Sequence, residues 1–131
     1  MTAHIYLIAN RWQCPDGITL QSKHRHDCVT HTDTTTGEFC LVDGGCDYYI
    51  RTAGNLKNLC VYSNDAHELK REFFLWGNRG VGGKEPLQWV ALKDLTTEHI
   101  EAIIETQEHL HEHILHLFED EIEYRKVIER N

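Results

Sequence analysis

The sequence predicts an α+β fold, in which a small antiparallel β-meander precedes a short helix and a helical C-terminus. In the first half of the chain, β-branched and aromatic residues come in short runs separated by turn formers. In the second half, apolar residues recur at helical spacing. The length of 131 residues is that of one domain. We therefore expect a single domain over 1–131, mainly β over 1–62, with a helix, a glycine-rich loop and a strand over 63–95 and helical structure over 96–131.

Short apolar runs define the expected strands, over 5–8, 18–20, 28–32, 39–42 and 48–51. The turn formers between them are Pro15-Asp16-Gly17, Thr36-Gly37 and Gly44-Gly45. A further run over 59–62 predicts another strand. Binding groups on such a scaffold tend to collect at strand ends and turns.

A short helix is expected over 66–76. Ser63 or Asp65 would cap its start, and Gly77 would end it. Its buried face would consist of the apolar residues at helical spacing, Leu69, Phe73 and Trp76. A strand over 87–92 should follow the glycine-rich loop.

The last helical region has the clearest start in the chain. Thr96 is a good N-cap, and Leu95 can pack against Ile100 as a hydrophobic staple. No glycine or proline follows as far as residue 130. An apolar stripe stays in phase throughout and consists of Ile100, Ile103, Ile104, Leu110, Ile114, Leu115, Leu117, Phe118, Ile122, Tyr124 and Ile128.

One continuous helix over this region would be roughly 50 Å long. The diameter of a domain of this size is only roughly 36 Å. The helix is therefore expected either to break near 109–113 into a helical hairpin, which is the favoured alternative, or to project. A projecting helix would bury its apolar stripe in a homodimer.

Composition and cysteine content restrict the class of protein. With 40% hydrophobic and 26% charged residues, the chain has the profile of a soluble globular protein, and its apolar runs are too short to span a membrane. No secretory leader is recognisable, so we expect a cytoplasmic protein. The five cysteines form no CxxC pair, which favours reduced thiols. Cys28 and Cys46 lie beside carboxylates, which disfavour a catalytic thiolate.

Negative charge is concentrated at the C-terminal end. The net charge is -8, and residues 94–131 carry eleven Asp and Glu against three Lys and Arg. An acidic surface repels nucleic-acid phosphates and attracts basic protein surfaces. We therefore expect a protein partner, and neither a nucleic acid nor a membrane.

The main candidate site joins two polar segments, Ser22-Lys23-His24-Arg25-His26-Asp27 and Val42-Asp43-Gly44-Gly45-Cys46-Asp47-Tyr48. The expected ligand-binding residues are His24, Arg25, His26, Asp27, Asp43, Gly44, Gly45, Asp47, Tyr48 and Arg51. Along a strand, His24 and His26 would point to one face. They could then hold a phosphate or, with Asp43 or Asp47, a metal ion.

Simpler interpretations have about equal weight. Asp27 and Asp43 could organise turns, and the histidines could form hydrogen bonds to the backbone. Three further histidines would share the polar side of the last helix, His109, His113 and His116. A solvated face is favoured for them over a zinc site, because no HExxH motif is present. No catalytic residue is predicted.

The chain resembles a family of small uncharacterised proteins from tailed bacteriophages, over most of its length. The resemblance rests on SKHRHD over 22–27, on VDGGxDYxxR over 42–51, and on LKDL, EHI, AI, TQ and YR within 92–125. In many of the proteins that it resembles, the first strands carry a cysteine-rich zinc-knuckle pattern. The corresponding positions here are Gln13, Asp16, His31 and Asp33. The resemblance therefore implies a degenerate zinc-ribbon-like meander, and the departure argues against a structural zinc.

The resemblance implies a phage accessory protein in the cytoplasm of a bacterial host. Together with the acidic C-terminus, it predicts a non-enzymatic protein that binds a host factor, such as a component of a defence system. The alternative is a protein that binds a small anionic ligand or nucleotide, or a metal-dependent enzyme, using His24, His26 and Asp43. The expected cofactor is none or a divalent metal.

Overall fold

Antiparallel strands make up the first half of the chain, while helices and one hairpin make up the second, which confirms the predicted α+β class. The structure is a computed structural model that describes residues 4–46, 49–80 and 83–129. The chain divides into two compact units, Met1–Asp65 and Ala66–Asn131. None of the described helices is long and apolar enough to cross a membrane.

The described part of the first unit contains seven strands, Leu7–Gln13 (β1), Thr19–Ser22 (β2), Val29–Thr32 (β3), Phe39–Asp43 (β4), Arg51–Ala53 (β5), Lys57–Asn58 (β6) and Val61–Tyr62 (β7). All of their pairings are antiparallel, and they are divided between two small sheets. In the first sheet β1 pairs with β2, β6 and β7. In the second sheet β4 lies between β3 and β5.

Most of the predicted strands lie within two residues of the observed ones. The first is the exception, because β1 continues to Gln13 in order to pair with both β2 and β6. The strand predicted over 48–51 is also displaced, since β5 begins at Arg51. Tyr48 lies outside the described residues.

The core of the first unit follows from the alternation of side chains along each strand. On β4, Cys40 and Val42 are buried while Phe39 is exposed. Cys14 and Leu20 complete this buried cluster. None of the five cysteines is part of a disulfide bond. The core therefore fixes the turn at Cys14, directly after β1.

The second unit begins with α1, His67–Phe73, followed by a hairpin of β8, Leu75–Asn78, and β9, Gln88–Ala91. The helix predicted over 66–76 is therefore too long. Its last residues are wrong because Phe74 adopts an extended backbone and the next four residues pair with β9.

The predicted cap and buried face of α1 are also wrong. The N-cap is Ala66, which makes no side-chain cap hydrogen bond. Asp65 instead accepts the backbone N–H of Tyr62 at 2.7 Å, within the preceding turn. Leu69 is 41% exposed and so does not form a buried stripe.

A 3₁₀ turn at Leu92–Asp94 leads into α2, Thr97–Thr106, and α3, Glu112–Glu129. Thr96 caps α2 as predicted, because its hydroxyl accepts the N–H of His99 at 3.1 Å. The favoured break is confirmed, at 107–111 rather than at 109–113.

The two last helices form an antiparallel hairpin. Arg125, near the end of α3, donates a hydrogen bond to the hydroxyl of Thr97 at the start of α2, at 3.0 Å. Phe118 is fully buried, and its ring meets those of Phe74 and Trp76 edge-on. The hairpin therefore folds back onto the β8–β9 hairpin of its own unit.

The apolar stripe is divided between the two helices. Ile100 and Ile103 on α2, and Leu117 on α3, are buried inside the unit, while Ile128 is half-exposed. The homodimer was predicted from an unbroken, projecting stripe. The hairpin removes that reason, and the homodimer stays a prediction.

Candidate functional site

The two polar segments of the predicted site lie directly against each other. The backbone N–H of Gly45 donates to the hydroxyl of Ser22 at 2.9 Å, and its carbonyl accepts from the side-chain amide of Asn10 at 2.9 Å. Ser22 and Asn10 are fully buried. Buried polar groups need partners, so these bonds hold the two loops in register. Asn10 was not predicted as part of the site.

The conformation of Gly45 explains the glycine pair. Its φ is +60°, and an added Cβ would lie 2.5 Å from the carbonyl carbon of His24. An added Cβ at Gly44 would collide with the backbone oxygen of Tyr49. Both glycines therefore let backbone approach backbone within the protein.

The segment around His24 forms a turn and not a strand. The N–H of Asp27 donates to the carbonyl of His24 at 2.9 Å. The N–H of His26 donates to Nδ1 of His24 at 3.2 Å, and Asp27 accepts the N–H of Lys23 at 2.8 Å. The strand alternation proposed for the two histidines therefore does not apply, and Asp27 organises the turn.

A shallow cavity of about 400 Å³ collects four of the predicted residues, Arg25, His26, Asp43 and Arg51, together with Cys28 and Tyr49. Arg51 donates to one carboxylate oxygen of Asp43 through Nε and Nη2, at 3.1 and 2.9 Å. This ion pair neutralises the guanidinium of Arg51. Asp47 was also predicted here, but it lies outside the described residues.

A second cluster joins the turn after β1 to the end of β3. Oδ2 of Asp16 lies 2.7 Å from Nε2 of His31 and also accepts the N–H of Thr34 at 2.9 Å. These hydrogen bonds, led by that of His31, hold the pKa of Asp16 well below its usual range. Asp16 and His31 are two of the positions that correspond to the zinc knuckle of the proteins that the chain resembles, and they are in direct contact here.

Cys14 lies beside this pair. One ligand atom from each of Cys14, Asp16 and His31 lies within 4.8 Å of the others, and no second group of three or more such atoms occurs in the described ranges. Cys14 is buried, and this burial together with the neighbouring Cys40 raises the pKa of its thiol to about 11. The ligand atoms of His24, His26 and Asp43, which were predicted as a metal site, form no such group within the described ranges.

Asp33 supports the same turn from inside the unit. It is almost fully buried and accepts the N–H of Asp16 at 2.7 Å and that of Thr36 at 2.8 Å. Burial alone would raise the pKa of Asp33, but these bonds and the hydroxyls of Thr35 and Thr36 outweigh it, so that pKa is lowered. Asp33 therefore stabilises both the turn at Asp16 and the turn that follows β3.

A third cluster, in the second unit, is centred on the fully buried Glu121. Arg71 binds both of its carboxylate oxygens, each at 2.9 Å. Arg125 binds one of them at 2.7 Å and His67 the other at 2.9 Å. Tyr124 lies under the Arg71 guanidinium, 4.7 Å from it. Burial would raise the pKa of Glu121, but the hydrogen bonds from Arg71, Arg125 and His67 lower it.

The Glu121 cluster joins separate elements and has a structural role. Arg125 also donates to the carbonyl of Leu92 at 3.1 Å, which attaches α3 to the 3₁₀ turn before α2. Arg71 and His67 bring α1 to the same point. Sequence analysis missed this cluster, because Glu121 is one of eleven acidic residues in its segment.

We expect the Glu121 cluster to be sensitive to acid. A carboxylate with a lowered folded pKa stabilises the fold above its unfolded pKa, ordinarily 4.5 here, and this contribution is lost as the pH falls through the folded value. The difference in unfolding free energy between wild type and Glu121→Gln should therefore shrink below about pH 4.5. Urea titrations from about pH 3 to pH 7 measure it, and an unchanged difference at low pH would contradict the assignment.

The α2–α3 hairpin carries an acidic groove of about 470 Å³, defined by Glu101, Ile104, Glu105, Glu119, Ile122 and Glu123. Each helix contributes a pair of glutamates that lie one turn apart, and both isoleucines are partly buried. Within the part of the chain that the structure describes, only Glu123 of the four makes an ion pair, with Lys126 at 3.1 Å. The groove therefore combines apolar surface with unneutralised negative charge.

Comparisons with protein-family models, with curated proteins and with solved structures give no match to this chain. No ligand, partner or catalytic residue is therefore transferred from another protein. Three features of the structure support a function. They are the acidic groove, the cavity of about 400 Å³ that Arg25, His26, Asp43 and Arg51 line, called the two-loop cavity below, and the cluster of Cys14, Asp16 and His31.

Proposed function

We propose that this chain is a non-enzymatic binding protein whose acidic groove recognises a basic surface of a host protein. The observation that carries the proposal is the groove itself, which four glutamates line together with Ile104 and Ile122. Such a surface attracts a cationic partner over a distance and then offers apolar contact once the partner is in place.

The distribution of charge along the chain supports this assignment. Most of the negative charge lies in residues 94–131, which contain both helices of the groove. The cationic residues of the second unit that are bound to Glu121 are directed inward and do not neutralise the groove. The same charge disfavours binding to nucleic-acid phosphates.

The resemblance to proteins of tailed bacteriophages supports the choice of a host protein as the partner. A phage accessory protein acts inside a bacterium, where a component of a defence system is one class of target. The resemblance supplies this context, and the acidic groove supplies the chemistry of recognition.

The alternative function is binding of a small anion at the two-loop cavity. It is supported by Arg25 and His26, which line the same cavity as Arg51. However, Asp43 accepts two hydrogen bonds from Arg51 and places a carboxylate in the cavity. This negative charge lowers the attraction of the cavity for an anion. We therefore place the protein interface first.

Capture from a bacterial lysate at low and high salt tests the proposed function. We expect a host protein to be retained at low salt and released at high salt, because exposed charges are screened beyond about 8–10 Å at physiological salt. Failure to retain any protein at either salt would contradict the proposal. A rise in melting temperature with phosphate or nucleotides, without capture, would favour the alternative.

A further inference from the structure

We infer that Cys14, Asp16 and His31 form a binding site for a single zinc ion. Their ligand atoms lie within 4.8 Å of one another, on the turn after β1 and at the end of β3. The site lies in the first unit, whereas the acidic groove belongs to the second.

The donor set suits zinc. A thiolate sulfur, an imidazole nitrogen and a carboxylate oxygen are its usual ligands, at about 2.3, 2.0 and 2.0 Å. Three protein ligands leave the fourth tetrahedral position for water. Hard ions such as Mg²⁺ and Ca²⁺ prefer oxygen-only sets, so the thiol of Cys14 selects against them.

The pair of Asp16 and His31 would have to open only slightly to admit the ion. Tetrahedral ligands at about 2.0 Å lie roughly 3.3 Å apart, whereas Asp16 and His31 are now 2.7 Å apart. The side chain of His31 is about one-quarter exposed, so its ring has room to move outward by that amount. The proton of the Cys14 thiol leaves to solvent as the Zn–S bond forms.

The local charge favours a cation. Asp16 and Asp33 are both largely shielded from water, and among the described residues neither pairs with a lysine or an arginine. The imidazole of His31 contacts the carboxylate of Asp16, with 2.7 Å between Nε2 and Oδ2. A divalent ion would add positive charge between the two carboxylates, while Asp33 keeps the Asp16 turn in position.

Backbone hydrogen bonds stabilise the two turns at the site, the one after β1 and the one after β3. The N–H of Gly17 donates to the carbonyl of Cys14 at 2.9 Å, and the N–H of Gly37 donates to that of Asp33 at 2.8 Å. These bonds fix both turns without using any of the three ligand atoms. Zinc would then link the two sheets of the first unit, because β1 belongs to one and β3 to the other.

Titration of the reduced, metal-free full chain with Co²⁺ tests this site. We expect one Co²⁺ per chain, with a thiolate-to-metal charge-transfer absorption that Zn²⁺ then displaces. The absorption should be lost in Cys14→Ser and kept in Cys28→Ser, which changes an exposed cysteine outside the cluster.

A second variant keeps the test decisive if Cys14→Ser does not fold. His31→Gln should weaken Co²⁺ binding at least about tenfold, since loss of even an outer-shell partner weakens metal sites by about 10–100-fold. Zn²⁺ should raise the melting temperature of the wild type and not of His31→Gln. Absence of charge transfer in the wild type would overturn the site, and so would an absorption that depends on Cys28 instead of Cys14.

Discussion

Replacing Glu121 by glutamine is expected to lower the free energy of unfolding of the second unit by roughly 3–5 kcal/mol. The variant leaves the guanidinium groups of Arg71 and Arg125 without their buried counter-ion. Partly buried charges that lose their counter-ion are costly to the fold. Urea unfolding followed by the helical circular-dichroism signal measures the loss, because all of the described helices lie in this unit.

Glu119→Gln is the matched control. It makes the same chemical change two residues earlier on α3, at an exposed side chain without an ion pair in the described residues. Its effect should be within about 0.5 kcal/mol of zero. Equal losses in the two variants would show that the net charge of α3, and not the buried cluster, determines stability.

Replacing Gly45 by alanine is expected to destabilise the first unit by roughly 2–4 kcal/mol. Alanine would be forced into the left-handed conformation of Gly45, which strains its backbone. Its Cβ would also lie 2.5 Å from the backbone of His24. The two loops would have to separate, which breaks the hydrogen bonds of Gly45 to Ser22 and Asn10. Hydrogen exchange of the β4 amides reports on this unit.

Gly37→Ala separates backbone strain from the close approach. Gly37 also has a positive φ, +75°, but an added Cβ would meet nothing within 4 Å. A loss of about 1 kcal/mol is expected there. If both substitutions cost the same, the contact between the two loops would not be the reason for glycine at position 45.

Local signals in the sequence predicted much of the fold. Short β-branched runs located most strands, and Thr96 marked the start of α2. The break between α2 and α3 was predicted from length, because one continuous helix would exceed the diameter of the domain. The sequence also predicts Asp43 and Arg51 in one cluster, and their side chains form an ion pair.

Features that depend on distant partners were missed. The run Phe73-Phe74-Leu75-Trp76 fits a helix or a strand equally well, and its pairing with β9 decides the matter. Glu121 looks like any surface glutamate, because Arg71 lies 50 residues away in the chain. Asn10 was overlooked for the same reason, since its amide binds Gly45, 35 residues later.

The dissociation constant of the captured host protein tests the central claim most directly. Glu105→Gln with Glu119→Gln removes two charges from the acidic groove and should weaken binding roughly tenfold at low salt. Glu108→Gln with Glu129→Gln changes the net charge equally at exposed positions outside the groove, and should leave the constant within about twofold. Equal effects of the two pairs, or no effect of the first, would contradict recognition through the groove.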